Sequence, residues 1–102
     1  MRSNHPHSQR TTEERWRRHS CRRARERYGL RLSQNDLAFI KRIIVSGNSA
    51  LIERQGKHKS LYCVIFHGVN LYPVYNRQRE EIITFLPDDH RAVIKYYERI
   101  IS

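Results

Sequence analysis

Residues 61–66 (LYCVIF) run without a polar break, too short for an ordinary helix and rich in sheet-favouring side chains. His67-Gly68 follows as a two-residue turn, with Gly able to take the positive φ that a tight hairpin demands. The chain then returns over residues 69–75, turns at 76–79 and runs out again over 82–86, where Pro87 ends the strand. Pro73 removes a ladder donor from the returning strand, which predicts a bulge or an irregular edge there. Residues 50–54, stopped by Gln55-Gly56-Lys57, add a fourth strand ahead of these three.

Helical periodicity flanks the strands. Trp16, Ser20, Ala24 and Tyr28 recur every four residues and make a narrow inner stripe, with Cys21 beside it. Thr11 and Glu14 have capping-box spacing at the start of that helix, and Gly29 stops it. Ser33-Gln34-Asn35-Asp36 opens a second helix, which carries Leu37, Ile40, Ile43 and Ile44 on one face and closes at Gly47. Asp88-Asp89 is expected to cap a third helix, striped with Val93, Ile94, Tyr97, Ile100 and Ile101. The order α-α-β-β-β-β-α predicts an α+β domain over residues 12–102. Two N-terminal helices and a C-terminal one cover a four-stranded, mostly antiparallel meander, behind a disordered basic arm at 1–11. Such a sheet hides its two faces only under helices. Leu61, Cys63, Ile65, Val74 and Ile83 are therefore expected in the core, together with Ile40, Ile44, Ile94 and Tyr97. On this pattern Ile65→Ala costs about 2–5 kcal/mol.

Charge changes the picture at one end. Twenty basic residues against ten acidic ones give +10, and residues 1–32 carry ten arginines, no lysine and three glutamates. Arg15, Arg17, Arg18, Arg22, Arg23, Arg25 and Arg27 crowd one short helix and repel one another unless an anion sits nearby. Arginine clamps phosphate oxygens in a bidentate fork where lysine is a point charge. A nucleic-acid backbone, RNA first, is the expected partner, with Arg79 added from a turn; an acidic protein surface is the alternative. No apolar run reaches the ~20 residues of a membrane helix. Cys21 and Cys63, without an export signal, read as reduced thiols of a cytoplasmic protein.

The chain has no phosphate-binding glycine loop, no paired CxxC, no HExxH and no nucleophile elbow, and its few carboxylates sit at helix starts or turns. No cofactor or metal is expected; His5 and His7, in the N-terminal arm, are too few for a specific site. Chemistry left to such a chain is metal-free cleavage of RNA, which needs a base, a cation for the phosphorane and an acid for the leaving oxygen. His19, among arginines that lower its pKa, is the candidate base. Tyr75, Arg77 and Thr84, with Arg79, are candidates for a cationic, hydroxyl-bearing patch on the sheet. His58, His67 and His90, in turns or at a helix start, read as surface histidines.

Tyr62-x-Val64, Pro73-Val74-Tyr75-Asn76 and Ile82-Ile83-Thr84-Phe85-Leu86-Pro87, behind an Arg-rich helix containing His19, follow a recognisable order. Over about residues 19–87 the chain resembles the RelE-like superfamily of small helix-plus-meander proteins (the barnase, colicin and RelE types). That group includes toxin ribonucleases and many phage and mobile-element proteins. Asn76 stands where an acidic residue is usual in that pattern. The resemblance implies either a metal-independent endoribonuclease or a non-catalytic binding protein.

Overall fold

A computed structural model describes residues 12–101. Helices α1 (Thr12–Tyr28) and α2 (Gln34–Val45) precede strands β1 (Ala50–Arg54), β2 (Lys59–Phe66), β3 (Val69–Leu71), β4 (Pro73–Asn76) and β5 (Glu81–Phe85). Helix α3 (Arg91–Ile101) closes the chain. The architecture is α+β, as the pattern predicts, with five strands in place of four. The extra strand comes from Pro73, which splits the expected strand at 69–75 into β3 and β4. Register survives the split: Val64 pairs with Leu71 and Leu61 with Val74, three residues on in one strand and three back in the other. Strand order is β1-β2-β4-β5, all pairs antiparallel. Pro73 thus lies in an inner strand rather than on an irregular edge. The register slip falls beside it, between Val74 and Tyr75 on β4.

Tyr28 compensates for the broken ladder. Its hydroxyl accepts from the Tyr72 N–H at 2.9 Å and donates to the Leu86 carbonyl at 2.5 Å. Burial pushes this phenol well above its usual range, so the group acts as a neutral donor and acceptor. Tyr28→Phe removes the bridge and orphans the amide of buried Tyr72, and is expected to cost about 1–3 kcal/mol. A urea midpoint unchanged from wild type would show that the amide finds another partner.

Two cores sit on opposite faces of the sheet. Ala24 of α1 and Leu37, Ile40 and Ile44 of α2 pack with Val64, Phe66, Leu71, Tyr75, Ile82 and Phe85. Ala92 and Val93 of α3 pack with Ile52, Leu61, Tyr72 and Val74. Cys21 lies against the first core and Cys63 against the second; both are free. Burial pushes the Cys21 thiol up, with the Asp36 charge adding to it, so this cysteine is a poor nucleophile.

The local signals for turns and caps are met where they rest on backbone geometry. His67 and Gly68 both take positive φ, the geometry of a type I′ hairpin. Ser33 accepts from the Asp36 N–H while the Asp36 carboxylate accepts from the Ser33 N–H. Gly47, at φ +82, closes α2 with Gly47 N–H to the Ile44 carbonyl and Asn48 N–H to the Ile43 carbonyl, a Schellman pair. Thr11 of the expected capping box, His5, His7 and the basic arm lie outside the described residues.

The cap of α3 and part of the expected core are corrected. Helix α3 is capped by His90 rather than by Asp88-Asp89: its carbonyl accepts from the Ile94 N–H and its Nδ1 from the Ala92 N–H at 3.1 Å. Ile65 is 69% exposed and Ile94 45%. Ile65 alternates with Val64 and Phe66, so it points to the α3 side at the hairpin end, paired with Asn70 and outside the core that α3 builds. Ile94 lies on the flank of α3 away from Ala92 and Val93. Cys63, Ile83 and Tyr97 are half-buried, whereas Leu61, Val74, Ile40 and Ile44 are buried as expected. No helix among the described residues is long and apolar enough to cross a membrane.

Candidate nucleic-acid interface

Strand β5 is an outer strand of the sheet, and its free edge is where α1 lies. An unpaired strand edge exposes carbonyls and amides that need partners. The small residues of the inner stripe allow the helix to come close enough to supply them. Ser20 is fully buried and donates its hydroxyl to the Ile82 carbonyl at 2.9 Å. One residue earlier, His19 Nε2 meets Thr84 Oγ1 at 3.1 Å. Thr84 pairs with Val74, a residue of the α3-side core, so His19 reaches past the β5 edge to the opposite face from Ala24.

The register slip makes this meeting possible. Val74 faces Thr84 while Tyr75 faces Ile82, which leaves Ile83 as an extra residue on β5. Ile83 and Thr84, successive in sequence, both border the hollow beneath the overhanging flank of α1. That groove, about 790 Å³, is walled by Arg15, Arg18, Arg22, Arg23 and Arg27, with Trp16 and His19 among them. Among the described residues no carboxylate lines it. Arg79, from the turn before β5, places its guanidinium 5.2 Å from the centre of the Trp16 ring.

The seven helix arginines therefore divide. Five turn to the groove, one of them (Arg23) also bonded to Glu26 at 2.7 Å. Arg17 turns the other way, into a cleft between α1 and α2, where it pairs with Glu81 at 3.3 Å. Arg25 is exposed and does not line the groove. Arg79 joins the cationic cluster through Trp16.

The four candidate catalytic residues also divide. His19 and Thr84 are hydrogen-bonded on the floor of the groove. Tyr75 and Arg77 line a separate hollow under α2, with Ile44, Val45, Tyr62 and Glu80. Tyr75 is buried in the first core, and burial, then Glu80 and Glu81, push its phenol up. Arg77 donates its guanidinium to the Lys57 carbonyl at 3.1 Å and its backbone amide to the His58 carbonyl at 2.8 Å. The expected single patch of Tyr75, Thr84, Arg77 and Arg79 is thus two sites, because Tyr75 and Thr84 fall on opposite faces of the sheet. His19 is half-buried. Its pKa is lowered, chiefly by burial, then by Arg23 and Arg22, with Glu26 opposing and Arg27 adding to the fall. Among the described residues no cluster of metal-ligating side chains occurs.

Trp16 and Ile83 are groove residues that sequence reasoning placed only in the packing. Trp16 was legible as an aromatic residue flanked by arginines, a common mark of nucleic-acid grooves. Nothing in the sequence marks Ile83, whose position depends on the bulge. Comparison of the chain with family models, with curated proteins and with solved structures finds no match.

Proposed function

We propose that this chain binds nucleic acid, RNA in the first instance, in the groove between α1 and β5. The observation that carries the reading is the groove wall: five guanidiniums and, among the described residues, no carboxylate along one open hollow. Along α1, Arg15 to Arg27 spans about 18 Å at 1.5 Å per residue, room for roughly five phosphates at the 3.4 Å rise of a strand. RNA is favoured over DNA because the His19–Thr84 pair on the floor offers hydrogen-bonding groups that a 2′-hydroxyl can join. The RelE-like resemblance supports the same reading, as does a cytoplasmic place of action, where free Cys21 and Cys63 persist.

A second reading, metal-independent cleavage of RNA, is favoured by His19 itself. A neutral imidazole beside five guanidiniums supplies a base and a cation for the phosphorane. Tyr75 is not there to protonate the leaving oxygen, so binding without cleavage is the leading reading. Incubating the protein with mixed RNA in EDTA separates the two. A mobility shift without cleavage supports binding, and cleavage lost in His19→Gln supports the nuclease. Neither shift nor cleavage would leave an acidic protein surface as the partner of this face.

Binding is also expected to depend on pH with a definite sign. Burial and the arginine field hold the His19 pKa below 6.5 in the free protein. Phosphates in the groove offset that field and raise it, so the complex takes up a proton. Affinity should therefore rise as pH falls through and below about 6.5, and His19→Gln should flatten the profile. Fluorescence anisotropy between pH 8 and 5 measures this; an affinity that falls on acidification would place phosphate away from His19.

A further inference from the structure

Trp16 is the only tryptophan in the chain, yet it belongs to neither of the two cores. An aromatic of that size is normally spent on packing. Here it remains half-buried, borders the arginine groove between Arg15 and Arg18, and carries the Arg79 guanidinium over its ring. Arg79 stands on an exposed turn, residues 77–80. Guanidinium planes and nucleobases compete for the same aromatic faces.

We propose that Trp16 is a base-stacking platform, so that the groove takes single-stranded rather than duplex RNA. This deepens the nucleic-acid reading above and rests on it. An unpaired base slides onto the indole, and Arg79, displaced from the ring, turns to the phosphate beside that base. Of the two groups that can cover the indole, the base is the stronger. An exposed cation–π contact is worth about two- to fivefold in affinity. A base on an aromatic side chain is worth about five- to a hundredfold. A base inside a duplex has both faces covered by its neighbours and cannot take the site without unpairing. Stacking of this kind tolerates any base, while the flanking arginines hold the backbone and set the salt dependence.

Because Trp16 is the sole tryptophan, intrinsic fluorescence of the unmodified protein reports on it directly. Four ligands are titrated at one ionic strength: an adenine octanucleotide, its duplex with uridine, an abasic octamer of the same charge, and inorganic polyphosphate. The octanucleotide should quench Trp16 and bind about five- to a hundredfold more tightly than the abasic octamer. The abasic octamer and polyphosphate should bind with little quenching, and the duplex should bind no better than they do. Trp16→Leu, which keeps an apolar side chain, should erase the preference for bases and leave the salt slope unchanged. If that variant does not fold by circular dichroism, the wild-type comparison decides alone. Equal binding and equal quenching by octanucleotide and abasic octamer, or by octanucleotide and duplex, overturns the stacking platform but leaves the phosphate groove standing. Binding of none of the four overturns both.

Discussion

Replacing Arg18, Arg22 and Arg27 together with Gln is expected to cut the salt dependence of RNA binding by more than half. All three line the groove, and among the described residues none pairs with a carboxylate that would weaken its contribution, unlike Arg23 with Glu26 or Arg17 with Glu81. Each single-strand phosphate contact contributes about −0.7 to the slope of log affinity against log salt. Five groove arginines thus give about −3.5, and the triple variant about −1.4. Between 50 and 200 mM salt the wild type should lose roughly 130-fold in affinity and the variant roughly sevenfold. Arg25, Arg42 and Arg54 changed to Gln make the matching control, since they remove the same charge away from the groove. If the control flattens the slope as much as the groove variant, attraction is diffuse and the groove is not the binding site. All three groove side chains are exposed, so thermal melts of the variant should match wild type or rise slightly as cationic repulsion falls.

That division among seven neighbouring arginines was invisible in the sequence. Arg17 and Arg18 differ only by one helical step, and their fates are decided by Glu81, 64 residues away. The same holds for His19, whose partner Thr84 lies 65 residues on. What could be read were features complete within a few residues: the His67-Gly68 turn, the Ser33–Asp36 box, the Gly47 stop and the helical limits of α1. Register was legible in outline. The place of the slip was not, because Pro73 announces a missing donor but not which neighbour absorbs it. An unbroken apolar run such as residues 61–66 also hides its own alternation. With no polar residue to mark a solvent side, Val64 and Ile65 look equally buried, although only Val64 is.

Placement of the site and stability of the fold are coupled through α1. One helix closes the β5 edge through Ser20, bridges the strand break through Tyr28 and presents the arginines on its overhanging flank. A binding element carried on a loose arm could be altered without cost to the domain. Here the groove exists only while α1 is docked, and docking brings cationic side chains together that would separate in the unfolded chain. Filling the groove with an anion should therefore stabilise the whole domain, by mass action and by relief of that repulsion.

The largest loss of stability is expected at the seam where α1 meets the sheet. Phe85 is fully buried, faces Pro73 across β4 and β5, and meets the Tyr28 ring edge-on at 5.9 Å between centroids. Phe85→Ala empties that contact and opens a cavity in the first core beneath α1. The expected cost is about 3–5 kcal/mol, against a total near 5–15 for an ordinary domain. Each kcal/mol moves the melting point of a domain this size by about 4–8 °C, so a fall of well over 10 °C is expected. Ile65→Ala, by contrast, should lie within about 0.5 kcal/mol of wild type, because that side chain is 69% exposed. Paired thermal melts of the two variants test the layout directly. A destabilised Ile65→Ala beside a native-like Phe85→Ala would mean that β2 and β5 face the helices with the opposite phase. His19 and Thr84 would then not meet, and the groove would have no floor.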